Sequence, residues 1–283
     1  MSKYEEVFKN YPSNRADEEI RRETAGIIAN WRENNRPDVL KFLYSCIDLT
    51  SLNTEDSKES IRKFVETVND FDGSRSDMSN VAAICVYPNF VQTVKETLTA
   101  GVGIASVAAG FPSSQTFAEV KIAEVSLAVA SGADEIDTVL NVGDFLDGNY
   151  DDLSVEIEEI KDACREARLK VILETGLLKT AENIKKASIL SMYSGADFLK
   201  TSTGKVYPGA SPEAVYVICQ TIREYYSLHN RKTGVKVSGG VRTAEDALKY
   251  FTIVKETLGE EWLTPELFRI GASSLSQNIL KVL

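Results

Sequence analysis

The chain has 283 residues, 43% of them hydrophobic and 26% charged, with a formal net charge of −10 at pH 7. This charge argues against nucleic-acid-binding and membrane-surface proteins, although it allows a local basic pocket for a small anion. No apolar run approaches the ~20 residues of a membrane span, and the first residues lack the apolar core of a secretory signal, so we expect a cytoplasmic protein.

The first 36 residues differ in pattern from the rest of the chain. Ile20, Ile27, Ile28 and Trp31 fall near one helical face between charged residues, which predicts an amphipathic helix. We expect this helix to pack on the outside or under the floor of the domain that follows; an arm that binds a partner is the alternative. The predicted division is therefore a helical extension, residues 1–36, and a main domain, residues 37–283.

From about residue 41 onward, apolar β-rich segments alternate with segments of helical periodicity. This alternation predicts parallel βαβ units, and eight of them close a barrel of about 250 residues. We therefore predict an α/β fold, a (β/α)8 TIM barrel with an N-terminal helical extension; a doubly wound open sheet is the alternative. The predicted strands are 43–49, 81–87, 102–108, 134–140, 170–175, 197–202, 235–239 and 267–272.

Two of these strands follow the same short sequence. Ser-Gly-Ala-Asp occurs at 131–134 and again at 194–197, and in each case the glycine is placed to end a helix just before a strand. Asp137 and Lys200 each lie five residues after that glycine. We therefore expect equivalent positions for them on the fourth and sixth strands, whether the repeat is meaningful or a common loop type.

The histidine and cysteine content limits the kinds of catalytic and metal-binding site that we expect. The single histidine, His229, lies in a polar segment, and the four cysteines are far apart with no CxxC pair. We expect reduced, mostly buried thiols, no metal site and no Ser-His-Asp triad. Catalysis must then depend on Lys, Asp, Glu, Tyr or Cys side chains.

Three ionisable residues, Asp137, Lys200 and Lys236, lie in the second half of otherwise apolar strands. A buried ammonium is costly unless it is paired, and barrel active sites lie at this end of the strands. Like charge and desolvation on neighbouring strands depress a lysine pKa, and imine formation requires a neutral amine. Asp137 suits proton transfer or countercharge. A structural salt bridge is the alternative.

The two lysines differ in their expected depth. Lys236 follows Gly234 by only two residues, which places it nearer the barrel interior. We expect it to repel charge on Lys200 rather than to react itself.

Glycine and hydroxyl residues follow the last three predicted strands. Loops after strands seven and eight, with backbone N–H groups at a helix start, commonly bind phosphate in this fold. Each motif alone also occurs in ordinary turns. The candidates are Gly204, Lys205, Gly239, Gly240, Ser273 and Ser274.

Several longer motifs cover residues 45 to 274. They are IDLTSLN (47–53), AAICVYP (82–88), GADEIDTVLNVG (132–143), KVILETG (170–176), GADFLKTSTGK (195–205), SGGVRTAEDA (238–247) and RIGASS (269–274). Through them the chain resembles the 2-deoxyribose-5-phosphate aldolases, which are class I aldolases. GADFLKTSTGK together with GGVRTAEDA is highly specific for that family.

The resemblance implies a role for each candidate. Lys200 would form the Schiff base, Lys236 would tune it, and Asp137 would relay protons. Asp48 would be a second acidic member of the pocket, and the six glycine, lysine and serine candidates would bind phosphate. The implied reaction is the reversible cleavage of 2-deoxy-D-ribose 5-phosphate to acetaldehyde and D-glyceraldehyde 3-phosphate, without metal or organic cofactor.

Two features depart from well-known members of that family. Those members end in a flexible tail with a terminal tyrosine, whereas this sequence stops at Leu283; its first 36 residues are also longer than in the shortest members. The alternatives are a class I aldolase for another phosphosugar and a non-catalytic barrel that binds a phosphosugar. We expect small-molecule partners, no nucleic acid and no membrane, and a homodimer is compatible with the sequence.

Overall fold

The computed structural model describes residues 3–12 and 15–283. Its centre is a closed barrel of eight parallel strands, paired in chain order from the first to the eighth and back to the first. This confirms the predicted (β/α)8 barrel and excludes the open sheet. The strands are β1 Ile47–Thr50, β2 Ala83–Val86, β3 Gly103–Ala108, β4 Glu135–Val139, β5 Arg168–Ile172, β6 Phe198–Lys200, β7 Gly234–Ser238 and β8 Phe268–Ala272.

Helices surround the barrel and separate the strands. Three short 3-10 helices, Trp31–Asn34, Pro88–Phe90 and Glu260–Trp262, complete the described structure. The α-helices are α1 Lys3–Lys9, α2 Asp17–Ala29, α3 Pro37–Ser45, α4 Lys58–Phe71, α5 Val91–Thr97, α6 Ala118–Ala130, α7 Val142–Leu146, α8 Tyr150–Cys164, α9 Thr175–Leu178, α10 Ala181–Tyr193, α11 Pro212–His229, α12 Ala244–Leu258 and α13 Leu275–Leu280.

The repeated Ser-Gly-Ala-Asp segments form the same turn twice. Gly132 follows α6 with a φ of +109°, and Gly195 follows α10 with a φ of +100°. Glycine adopts this conformation without the steric cost that a Cβ would bring. The predicted helix ends are therefore present, and β4 and β6 begin within three residues of the glycines.

The predicted start of the first strand is wrong. Residues 43–45 belong to the end of α3, and β1 begins only at Ile47. Leu43 and Tyr44 are buried on α3, which packs against α12 and α13. A short apolar run reads the same at the end of a buried helix as in a buried strand.

The N-terminal segment packs against the outer helices of the barrel. Helix α2 contacts α11 and α12, and the Asp17 carboxylate accepts a hydrogen bond of 3.1 Å from the backbone N–H of Ala181. Asn34 donates to Thr252 on α12 at 3.0 Å. The expected packing on the outside is thus observed for the described residues, and the domain boundary at residue 36 stays a proposal. In the described part of the chain, no helix is both long and apolar enough to cross a membrane.

Close packing at the start of β7 gives a testable stability effect. Gly234 lies against the ring of Phe198 on β6, and a Cβ at residue 234 would overlap that ring. We expect Gly234→Ala to lower the free energy of unfolding by about 1–3 kcal/mol, because overpacking forces a buried ring to move. Gly101→Ala is the matched control, since a Cβ there meets open space. Urea unfolding of both variants measures the difference, and equal stabilities would contradict the packing described.

Candidate active site

The two candidate lysines lie side by side on neighbouring strands. Lys200 ends β6, Lys236 lies in the middle of β7, and their Cα atoms are partners in the parallel register. Residues at equivalent positions of adjacent parallel strands point to the same face. The expected adjacency is therefore what the structure shows, and both side chains lie inside the barrel.

A single carboxylate joins the two amines. The Oδ2 atom of Asp137, on β4, accepts a hydrogen bond of 2.7 Å from Nζ of Lys200 and another of 2.7 Å from Nζ of Lys236. Its Oδ1 atom has no hydrogen bond and lies 3.5 Å from Nζ of Lys170. Asp137 can therefore pass a proton between groups bound to its Oδ2 atom or balance their charge.

The two lysines differ in burial and in the direction of their pKa shifts. Lys200 is 4% exposed and Lys236 is fully buried. Burial lowers the pKa of Lys200, and the neighbouring Lys236 lowers it further against the opposing effect of Asp137. Burial would also lower the pKa of Lys236, but Asp137 and Asp48 raise it well above the usual value. Lys236 is thus held as an ammonium beside an amine that loses its proton more easily.

The acidic partner of these lysines is held in its ionised form. Burial alone would raise the pKa of Asp137, but Lys170, Lys200 and Lys236 lower it below its usual range. A carboxylate surrounded by three amines keeps its charge near neutral pH.

A deeper layer of charged residues lies beneath the candidate site. Nζ of Lys170, on β5, donates to Asp48 at 2.8 Å and to Glu135. The guanidinium of Arg269, on β8, donates to Oδ1 of Asp48 at 2.6 Å and to Oε1 of Glu135 at 2.9 Å. All four side chains are buried. We call these four residues the lower cluster.

Three members of the lower cluster, Glu135, Lys170 and Arg269, were not identified from the sequence. Glu135 precedes Asp137 by two residues and so shares its face of β4, while Lys170 and Arg269 each stand in an apolar run. In the sequence these charges resemble solvated strand starts, because they lie in the first half of the predicted strands. Only the closed barrel places them opposite one another.

Asp48 lies between the candidate catalytic residues and the rest of the lower cluster. The resemblance implied a member of the substrate pocket, but the side chain is 0% exposed and both oxygens are occupied. Its Oδ2 atom lies 2.5 Å from Nζ of Lys236, and Lys170 and Arg269 take the remaining contacts. Asp48 is therefore placed to act as a countercharge for the cations around it, and its membership of the substrate pocket stays a prediction.

The wall opposite the charged residues is apolar. Leu52, Cys85, Ala105 and Val107 belong to a separate buried cluster, and Phe111 packs against it. Burial raises the pKa of the Cys85 thiol, which therefore stays protonated and neutral. All four cysteines are free and buried, as expected. The barrel interior thus has a charged side and an apolar side.

The phosphate candidates lie in loops at the mouth of the barrel. Gly204, Gly239 and Gly240 have positive φ angles, and the backbones of Gly204 and Gly239 come close together. Ser273 is exposed and Ser274 half-buried, directly before α13. The loops after β6, β7 and β8 are neighbours in the barrel, so these residues share one side of the opening.

The side chain of Lys205 points away from the other phosphate candidates. Its Nζ atom donates to the carbonyl oxygen of Leu52, in the loop after β1, three strands around the barrel from β6. The Lys205 side chain is exposed, and its stem has several rotatable bonds, so other positions of the ammonium group are accessible. Among residues 3–12 and 15–283, no group of three His, Cys, Asp or Glu side chains is placed to hold a metal ion.

Comparisons with known proteins agree with this geometry. The family described as DeoC/LacD family aldolase matches residues 42–275. The deoxyribose-phosphate aldolase of Homo sapiens is 42% identical over 248 residues, covering 82% of this chain and 77% of the relative. That of Bos taurus is 40% identical over 250 residues, covering 83% and 77%.

A solved structure extends the comparison to the fold. It is described as the unique tetrameric structure of deoxyribose phosphate aldolase from Aeropyrum pernix and has a TM-score of 0.69 at 25% identity. The alignment covers 90% of this chain and 95% of that one. The match in sequence and in fold spans nearly the whole barrel, and the chain belongs to the DeoC/LacD aldolase family.

Proposed function

We propose that this protein is a 2-deoxy-D-ribose 5-phosphate aldolase that works through a Schiff base on Lys200. It cleaves its substrate reversibly to acetaldehyde and D-glyceraldehyde 3-phosphate. The observation that supports this most strongly is geometric: Nζ of Lys200 and Nζ of Lys236 each donate a 2.7 Å hydrogen bond to the same oxygen of Asp137. Burial also lowers the pKa of Lys200. The relatives named deoxyribose-phosphate aldolase support the choice of sugar.

The reaction begins with the neutral amine of Lys200. It attacks the C1 aldehyde carbon of the open-chain sugar, a C–N bond forms, water leaves, and a cationic imine results. The imine accepts the electrons of the C2–C3 bond when the C3 hydroxyl loses its proton. That bond breaks, D-glyceraldehyde 3-phosphate leaves, and an enamine remains on Lys200. Protonation at C2 and hydrolysis of the imine release acetaldehyde.

Asp137 and Lys236 are the groups proposed to handle protons. Asp137 binds the reacting amine at 2.7 Å, so it can accept and return a proton near the imine, directly or through water. Lys236 donates a hydrogen bond to the same oxygen. Its positive charge favours the ionised form of Asp137, so a proton that Asp137 accepts is readily returned. We propose no metal or organic cofactor, because an imine alone supplies the required electron sink.

The phosphate group is proposed to bind in the loops after β6, β7 and β8. Gly204, Gly239 and Gly240 expose backbone N–H groups there, and Lys205 and the serines before α13 supply polar side chains. Backbone N–H groups and a cation together favour a dianion.

A negative charge introduced at residue 274 tests whether these loops bind the phosphate group. We expect Ser274→Glu to raise KM for the phosphorylated sugar by about tenfold or more, because a carboxylate would repel the dianion at short range. Cleavage of unphosphorylated 2-deoxyribose should change much less. Ser274→Gln is the control, with similar size and no charge. Equal losses on both substrates would contradict the assignment.

Substrate comparison separates this proposal from its alternatives. Turnover of 2-deoxy-D-ribose 5-phosphate in clear preference to D-ribose 5-phosphate supports the proposed specificity. Preference for the 2-hydroxylated sugar would indicate an aldolase for another phosphosugar, and binding without turnover would indicate a non-catalytic barrel.

We also propose a cytoplasmic homodimer. The exposed apolar side chains Phe117, Val120 and Leu127, at and along α6, give a surface on which subunits can associate. Sedimentation velocity measures the mass in solution, and a monomer at micromolar concentration would contradict the dimer.

A further inference from the structure

The lower cluster and the catalytic lysines form one continuous ionic assembly. Oδ2 of Asp48 contacts Lys170 at 2.8 Å and Lys236 at 2.5 Å. Oδ1 of Asp137 lies 3.5 Å from Lys170, and its Oδ2 contacts Lys200 and Lys236. A change of charge at Lys170 therefore acts electrostatically on Lys200, with one carboxylate, that of Asp137, between them.

Among the ion-paired side chains of this assembly, the charges balance when Lys200 is neutral. Three carboxylates, Asp48, Glu135 and Asp137, face three cations other than Lys200. Those cations are Lys170, Lys236 and Arg269. A proton on Lys200 would add a positive charge to this group in a dry interior, where a further charge is expensive.

Three further groups near this assembly are a buried thiol, a partly exposed arginine and a buried carboxyl group. Cys85 is a neutral buried thiol, and Arg168 lies 3.6 Å from Glu135 with a side chain 43% exposed, where solvent screens it. Glu174 is buried in the loop after β5, accepts hydrogen bonds from Thr203 and interacts electrostatically with Lys200; it is unchanged in every variant compared below. Burial raises the pKa of Glu174.

We propose that Lys170 and Glu135 are positioning residues that set, through Asp137 and Asp48, how readily Lys200 loses its proton. The inference rests on the proposed function, since it concerns the reactive form of the Schiff-base lysine. Neither residue touches the substrate, because both side chains lie below Asp137 and are fully occupied by ion pairs. Their effect is on the pH at which the amine becomes neutral.

The two residues carry opposite charges, so their removal must act in opposite directions. Lys170→Met leaves an excess negative charge, which stabilises protonated Lys200 and moves the acid limb of kcat/KM up by about one pH unit. Glu135→Gln leaves an excess positive charge and moves the same limb down, by about half a unit because Glu135 lies further away. The double variant restores the balance and returns the limb to near its original pH.

Control variants separate charge from loss of packing. Lys121 on α6 is also fully buried, and it pairs with Glu156 at 2.7 Å outside the barrel. Lys121→Met and Glu156→Gln therefore break an ion pair between a buried lysine and a half-buried glutamate, without contact with the site. They should lower stability and leave the acid limb where it is.

The experiment measures kcat/KM against pH for the wild type, both single variants, the double variant and both controls. Opposite shifts that cancel in the double variant support the inference; shifts of one sign, or reduced rates with an unmoved limb, overturn it. If Lys170→Met does not fold, Glu135→Gln decides alone, by a downward shift or its absence. Borohydride trapping on Lys200 in the wild type is measured in parallel, and its failure overturns the proposed function instead.

Discussion

Lys200→Ala is expected to reduce turnover by at least about 10³-fold and to abolish trapping of acetaldehyde by borohydride. The reason is chemical: without this amine no imine forms, and the C2–C3 bond has no electron sink. Lys200→Arg should be equally inactive, because a guanidinium keeps the charge but does not become a nucleophile near neutral pH. Both rates are measured with the natural sugar phosphate.

An exposed lysine provides the control for this substitution. Lys179→Ala alters a surface residue in the loop region after β5 and should leave activity near that of the wild type. Appreciable turnover by Lys200→Ala would contradict the covalent mechanism.

Lys236→Ala should leave the nucleophile in place but make it react slowly at neutral pH. Lys236 is held as an ammonium by Asp137 and Asp48, and its charge disfavours a second charge on Lys200. Its removal lets the pKa of Lys200 rise toward its free value, so the fraction of neutral amine at a given pH falls. Each pH unit of that rise costs about tenfold in rate below the new pKa.

The pH–rate profile is the measurement for this variant. We expect the acid limb to move upward and the rates of wild type and variant to converge at high pH. Lys236→Arg, which keeps the charge, should move the limb much less. A limb unchanged in Lys236→Ala would show that the neighbouring charge does not tune Lys200.

The fold was predictable from the sequence because each unit repeats the same local pattern. Alternating β-rich and helical segments define the strand order, and the eighth unit closes the barrel. The error at residues 43–45 arose where an apolar run continued from α3 into β1 without a break in pattern. Segment boundaries of this kind depend on packing, which the sequence does not display.

The positions of Lys200 and Lys236 were also predictable from the sequence. The ion pairs of the lower cluster beneath them were not. Lys200 and Lys236 stand on consecutive strands, so their adjacency follows from the fold. The partners of Asp48 come from β5, β7 and β8, and only barrel closure brings those strands around β1. Which charged side chains form ion pairs therefore depends on how far each one extends across the barrel interior.

The central claim is that Lys200 is the residue that forms the Schiff base. The most direct test is reduction of the intact enzyme with borohydride in the presence of acetaldehyde, followed by proteolysis and mass spectrometry of the lysine-containing peptides. The expected result is a single N-ethyl adduct on Lys200, formed faster as the pH rises through its lowered pKa. An adduct on Lys236, or no adduct on any lysine while turnover continues, would contradict the account.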